Sequence, residues 1–106
     1  MKVITMCGSL RFESDIRYLS EKLALEGNCV LSIIYPTLED KDAYTPEQHE
    51  ILDKEHKKKI DLSDAIFVVN KDGYIGNSTK SEIEYAKEHG KEVIFWEDNG
   101  LNSCKL

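Results

Sequence analysis

A carboxylate just beyond a glycine-punctuated turn can act on a bound small molecule as nucleophile or base, and the chain offers one at Glu82. The stretch from Ala65 to Ala86, AIFVVNKDGYIGNSTKSEIEYA, runs through an apolar segment ending at Asn70. A turn holding Gly73 and Gly76 follows, and then a helix that opens around Ser78 and Thr79. In an α/β protein this order sets the acid near the carboxyl edge of a parallel sheet, where such folds bind ligands. A second exit, MCGSLRF from Met6 to Phe12, offers the amides after Gly8, the Ser9 hydroxyl and the Arg11 guanidinium, a set suited to phosphate. Two such turns converging on one edge imply a pocket of nucleotide size with an acid inside it.

Each of these residues also has a plain structural role. Thr79-Lys80-Ser81-Glu82 is a capping-box pattern, in which Glu82 bonds back to the cap amide and only stabilises the helix. Gly8-Ser9-Leu10-Arg11 reads equally as a strand-to-helix turn with Ser9 as cap. Asp72, beside Gly73, is a turn former or a pocket wall, and Asp64 a turn residue ahead of a strand. His56 falls on a helix whose inner face the spacing does not settle. Tyr74 can stack on a base or pack down locally.

The elements that must position these groups follow from periodicity. Lys2 to Cys7 is a β-branched apolar run closed by Gly8, a buried strand. Apolar residues at Ile16, Leu19 and Leu23 mark an amphipathic helix from Leu10 to Glu26, with Gly27 at its C-terminal stop. Cys29 to Ile34 reads as a second strand, and Tyr35 to Tyr44 as a loop suited to a lid. Thr45-Pro46-Glu47-Gln48 is a helix start with a cap, a first-turn proline and a capping box. That helix is expected to reach about Leu62, followed by a strand over Ala65 to Asn70. A last helix capped by Ser78 or Thr79 ends near Gly90, a fourth strand spans Glu92 to Trp96, and the tail from Glu97 reads as loose. The βαβαβαβ order predicts one three-layered α/β domain over residues 1–106. Its parallel sheet has four to five strands with helices on both faces.

Composition narrows the function. The 106 residues carry 20 acids against 14 bases, a net charge of −6, which disfavours a polynucleotide partner. Lys57, Lys58 and Lys59 lie among acids and read as a solvated helix face. No apolar run reaches the roughly 18 residues of a membrane span, and the first residues read as a strand rather than a signal peptide. A cytoplasmic protein with no membrane partner is expected. Three cysteines, Cys7, Cys29 and Cys104, show no CxxC spacing, and Cys7 and Cys29 read as small buried hydrophobes. The histidines at 49, 56 and 89 form no ligand motif, so neither a metal nor a cofactor is expected.

MCGSLRF, together with HKKKIDLSDAIFVVNKDGYIGNSTKSEIEYAKEHGKEV from His56 to Val93, resembles the nucleoside 2-deoxyribosyltransferase superfamily. The nearest flavour is the branch of nucleoside 5′-monophosphate N-glycosidases and CMP-type hydrolases. The resemblance implies cleavage of the base–sugar bond of a nucleotide through a glycosyl ester on Glu82. Gly8, Ser9, Leu10, Arg11 and Phe12, with Gly76 and Ser78, would bind the nucleotide and its phosphate. It also implies a flavodoxin-like fold and a homodimer or larger homo-oligomer. Two departures stand out: an acid six residues before the nucleophile in the transferases is Gly76 here, and an acid on the preceding helix of the glycosidases falls on His56. His56 and Asp72 are the further catalytic candidates. Two other readings stay open: a non-catalytic nucleotide-sensing module, and a flavin binder like the FMN reductases, whose phosphate loop GSLRFES resembles.

Overall fold

A four-stranded parallel sheet in the order β2-β1-β3-β4 forms the middle layer of the computed structural model, which describes residues 1–97. The strands are β1 (Val3–Gly8), β2 (Cys29–Leu31), β3 (Ala65–Val69) and β4 (Glu92–Phe95), and the helices are α1 (Glu13–Leu25), α2 (Pro46–Asp61) and α3 (Asn77–Glu88). Most of the expected tail, and Cys104 with it, lie outside the described residues.

Alternation along the strands separates two cores. Ile4 and Met6 of β1 and Ala65, Phe67 and Val69 of β3 face Ile16, Leu19 and Leu23 of α1. Cys7 of β1 and Ile66 and Val68 of β3 face Ile60 of α2 and Ile83 and Ala86 of α3. This is the three-layer architecture expected, and the strand order is that of the first four flavodoxin-like strands. β1 sends the chain to β2 on one side and the next crossover reaches β3 on the other. The carboxyl ends of β1 and β3 therefore flank the topological switch point, where open α/β sheets hold ligands.

Local chemistry sets the element ends. Thr45 Oγ1 accepts from the Gln48 amide at 3.1 Å and Gln48 Oε1 from the Thr45 amide at 2.9 Å, so the expected capping box of α2 is formed. Gly27 leaves α1 with φ +99, and Asp64 Oδ2 accepts from the Val3 amide at 2.8 Å, tying the start of β3 to β1. Asn70 closes the far end: its side chain donates to the Glu97 carbonyl and accepts from the Glu97 amide, at 2.9 and 2.8 Å.

Three boundaries differ from expectation. β2 stops at Leu31 because only Val3, Ile4 and Thr5 of β1 lie opposite it. The chain then turns away toward Pro36, which cannot donate to a ladder. The helix expected from Leu10 splits into a 3₁₀ turn, Leu10–Phe12, and α1 proper, because Ser9 Oγ accepts from the Arg11 amide at 3.3 Å and tightens that turn. α3 begins at Asn77 with Gly76 as its cap and no side-chain cap bond, so neither Ser78 nor Thr79 caps it. In addition Cys29 is exposed, at the edge of the sheet, rather than buried.

Candidate active site

Gly8 ends β1 with φ +153, and a Cβ there would meet the Val69 carbonyl oxygen at 3.1 Å. Only glycine lets the chain leave β1 this close to β3. The turn that follows, Gly8 to Arg11, and the start of α3, Gly76 to Thr79, line opposite parts of one cleft of about 820 Å³. The first amides of α3 have no side-chain cap, and Gly76 to Thr79, at the positive end of that helix, line the cleft.

Glu82 and His56 lie inside this cleft. Helical spacing brings them there: His56 is four residues before the buried Ile60 on α2, and Glu82 four before the buried Ala86 on α3. Each polar side chain thus shares the sheet-facing side of its helix, one turn nearer the carboxyl edge of the sheet than the buried Ile60 and Ala86. Cys7, the last side chain of β1 before Gly8, rises from the sheet between them. The His56 Nε2 atom lies 3.4 Å from Cys7 Sγ and 3.5 Å from Glu82 Oε1. Cys7 is fully buried and His56 7% exposed.

Position also decides the capping question. With Gly76 as cap, Glu82 belongs to the second turn of α3, out of reach of the cap amide. Thr79, expected at the cap, is buried inside the helix. The pull of the helix dipole on a carboxylate fades within the first turn, and burial dominates instead. It raises the Glu82 carboxyl from 4.5 to about 7, Asp53 adding to the rise while Cys7 and Lys57 oppose it. Burial, with Lys59 close by, lowers His56 from 6.5 to about 4 against the pull of Glu55 and Asp53. Burial, reinforced by Glu82, pushes the Cys7 thiol well up. At neutral pH His56 is therefore a neutral imidazole, and Glu82 is poised between acid and carboxylate.

The other sequence-derived candidates divide. Gly8, Ser9, Leu10, Arg11, Gly76 and Ser78 line the cleft beside Glu82 and His56. Phe12 does not line it; its ring meets Tyr74 edge-on at 5.9 Å, and Tyr74 does reach the cleft. The Arg11 guanidinium stacks over the same Tyr74 ring at 3.9 Å, a contact that holds an exposed cation at the cleft rim. Asp72 is exposed at the tip of a 3₁₀ turn with φ 56 and does not line the cleft. Of the expected solvated face only Lys58 is exposed: Lys57 and Lys59 are half-buried, pair with Asp53 and Glu55 one helical turn back at 3.2 and 2.9 Å, and Lys59 also donates to the Ser32 carbonyl at 2.8 Å. Cys7 is the site residue that sequence reasoning missed: strand alternation marks it as inward, but not toward which helix.

No protein-family profile matches the chain, and no curated protein matches it by sequence. Solved structures do match. A 2-deoxyribosyltransferase from the psychrotolerant bacterium Bacillus psychrosaccharolyticus superposes with a TM-score of 0.69 at 18% identity, over 88% of this chain and 70% of that one. This is a 2-deoxyribosyltransferase-like fold. A conserved protein from Enterococcus faecalis V583 shares it with a TM-score of 0.61 at 22% identity, over 90% of this chain and 62% of the other. Among the described residues no helix is long and apolar enough to cross a membrane.

Proposed function

We propose that the protein cleaves the N-glycosidic bond of a nucleoside 5′-monophosphate, as a glycosidase or as a deoxyribosyltransferase, with Glu82 as nucleophile. The observation that carries this reading is the largely covered Glu82 carboxyl in a switch-point cleft that the Gly8–Arg11 turn and the start of α3 also line. The 2-deoxyribosyltransferase-like fold supports it.

The phosphate would sit against the α3 amides and the Gly8–Arg11 turn, with the Arg11 guanidinium as its counter-charge. That remote binding holds C1′ in line with Glu82. As the bond to the base lengthens, positive charge grows on the sugar, and a carboxylate in a dry site gains interaction as it does so. A Glu82 oxygen bonds to C1′, and the electron pair of the broken C–N bond leaves with the base, which takes a proton from solvent. Water, or an acceptor base in a transferase, then attacks C1′ and frees the carboxylate. The neutral His56 imidazole, 3.5 Å from Oε1, orients the attacking oxygen when its Nε2 carries hydrogen. The protein acts as a homodimer or larger assembly in this reading.

One observation favours a second reading. A carboxyl held near 7 is a weak nucleophile at neutral pH, as in a module that binds nucleotides without turnover. Chromatography of free base after incubation with ribo- and deoxyribonucleoside 5′-monophosphates separates the two. Base release establishes cleavage, whereas binding without release establishes the sensing module.

A further inference from the structure

Cys7, His56 and Glu82 come from three different elements, β1, α2 and α3, and each offers one ligand atom. The three atoms lie within 4.8 Å of one another. Two of the separations are 3.4 Å from sulfur to nitrogen and 3.5 Å from nitrogen to oxygen. A tetrahedral zinc ion with ordinary bond lengths spaces its S, N and O ligands by about 3.3 to 3.6 Å. Two sides of the ligand triangle therefore already match a zinc coordination polyhedron, and the third, from Cys7 to Glu82, lies within 4.8 Å and has to close only slightly.

Their order in depth matters as much. Cys7 is fully buried and does not reach the cleft, whereas His56 and Glu82 both line it. An ion held by the three would rest on the Cys7 sulfur with its fourth position open to the cleft. Three protein ligands and one open position is the arrangement of zinc sites that accept a water or a small molecule. The thiolate selects against magnesium and calcium, while imidazole and carboxylate are compatible with borderline ions.

We propose that Cys7, His56 and Glu82 form a binding site for one divalent transition-metal ion of the zinc class, open toward the cleft. The site stands on its own geometry. Its consequence rests on the proposed function: an ion on the Glu82 carboxylate occupies the oxygen that would attack C1′, so the metal-loaded form does not release base.

The test uses the full chain stripped with a chelator and titrated with Co²⁺. One equivalent is expected to give tetrahedral ligand-field absorption and a thiolate-to-cobalt charge-transfer band, both removed by Zn²⁺. Cys7→Ser is expected to abolish the band, and Glu82→Gln, on the cleft side, to weaken binding by at least roughly ten-fold. Circular dichroism establishes that each variant is folded. Absence of the band in the stripped wild type would overturn the proposal. So would a band lost in Cys29→Ser or Cys104→Ser but kept in Cys7→Ser. Base release measured in chelator tells the two proposals apart. Release without a cobalt band leaves the glycosidase reading intact and removes the metal site, and a Cys7-dependent band without release does the reverse.

Discussion

Glu82 concentrates the opposing demands on this molecule. Its carboxyl is easier to keep protonated than a free one, at about 7 against 4.5, so its burial costs stability once the unfolded chain would ionise. The favourable contribution of the protonated form is complete below pH 4.5 and is lost as the pH rises through 7. A change of that size is worth roughly 3 kcal/mol at most. Glu82→Gln is therefore expected to melt above the wild type at pH 8, by up to roughly 3 kcal/mol, with the difference vanishing near pH 4.5; thermal melts across pH check it. The same residue sets the pH profile of base release: kcat/KM should rise tenfold per pH unit below 7 and level off above it. Asp53, Lys57, Cys7 and His56 face this carboxyl, and His56 takes up its proton only near 4, at the foot of the acid limb. A profile flat between pH 5 and 8 would contradict the nucleophile assignment.

At the scale of elements, the turn that leaves β1 and the cap that starts α2 can be tested separately. Gly8→Ala places a Cβ against the Val69 carbonyl at 3.1 Å with φ in a region side chains avoid, and a loss of about 1 to 3 kcal/mol is expected by denaturant unfolding. Thr45→Ala removes one half of the α2 capping box and should cost about 1 kcal/mol without changing the cleft. The capping box was legible in the sequence because its bonds join residues three apart, so local pattern suffices. The start of α3 was not: Asn77, Ser78 and Thr79 are all cap-type residues, and packing against the sheet buries Thr79, which makes Gly76 the cap. β2 is shorter than its apolar run because an edge strand ends where its neighbour stops pairing, and that is a tertiary fact. Glu82 and the Gly8–Arg11 turn were visible as chemistry beside glycines. The approach of Cys7 and His56 to Glu82 was not, since it needs the register of three separate elements.

For the whole molecule, the sheet order places one cleft at the switch point and leaves apolar side chains around its mouth. Ile34 and Leu38 line the cleft yet are 49% and 50% exposed, which fits a surface that a second copy covers in the proposed oligomer. Sedimentation is expected to give a dimer or larger species that Leu38→Lys weakens; a monomer at all concentrations would contradict it. The measurement closest to the central claim is chromatography of free base after incubating wild type and Glu82→Gln, in chelator at pH 8, with a panel of nucleoside 5′-monophosphates. The expected result is base release by wild type from at least one nucleotide, reduced by at least roughly a thousandfold in Glu82→Gln. Release that survives in Glu82→Gln would contradict the assignment of Glu82 as the attacking group.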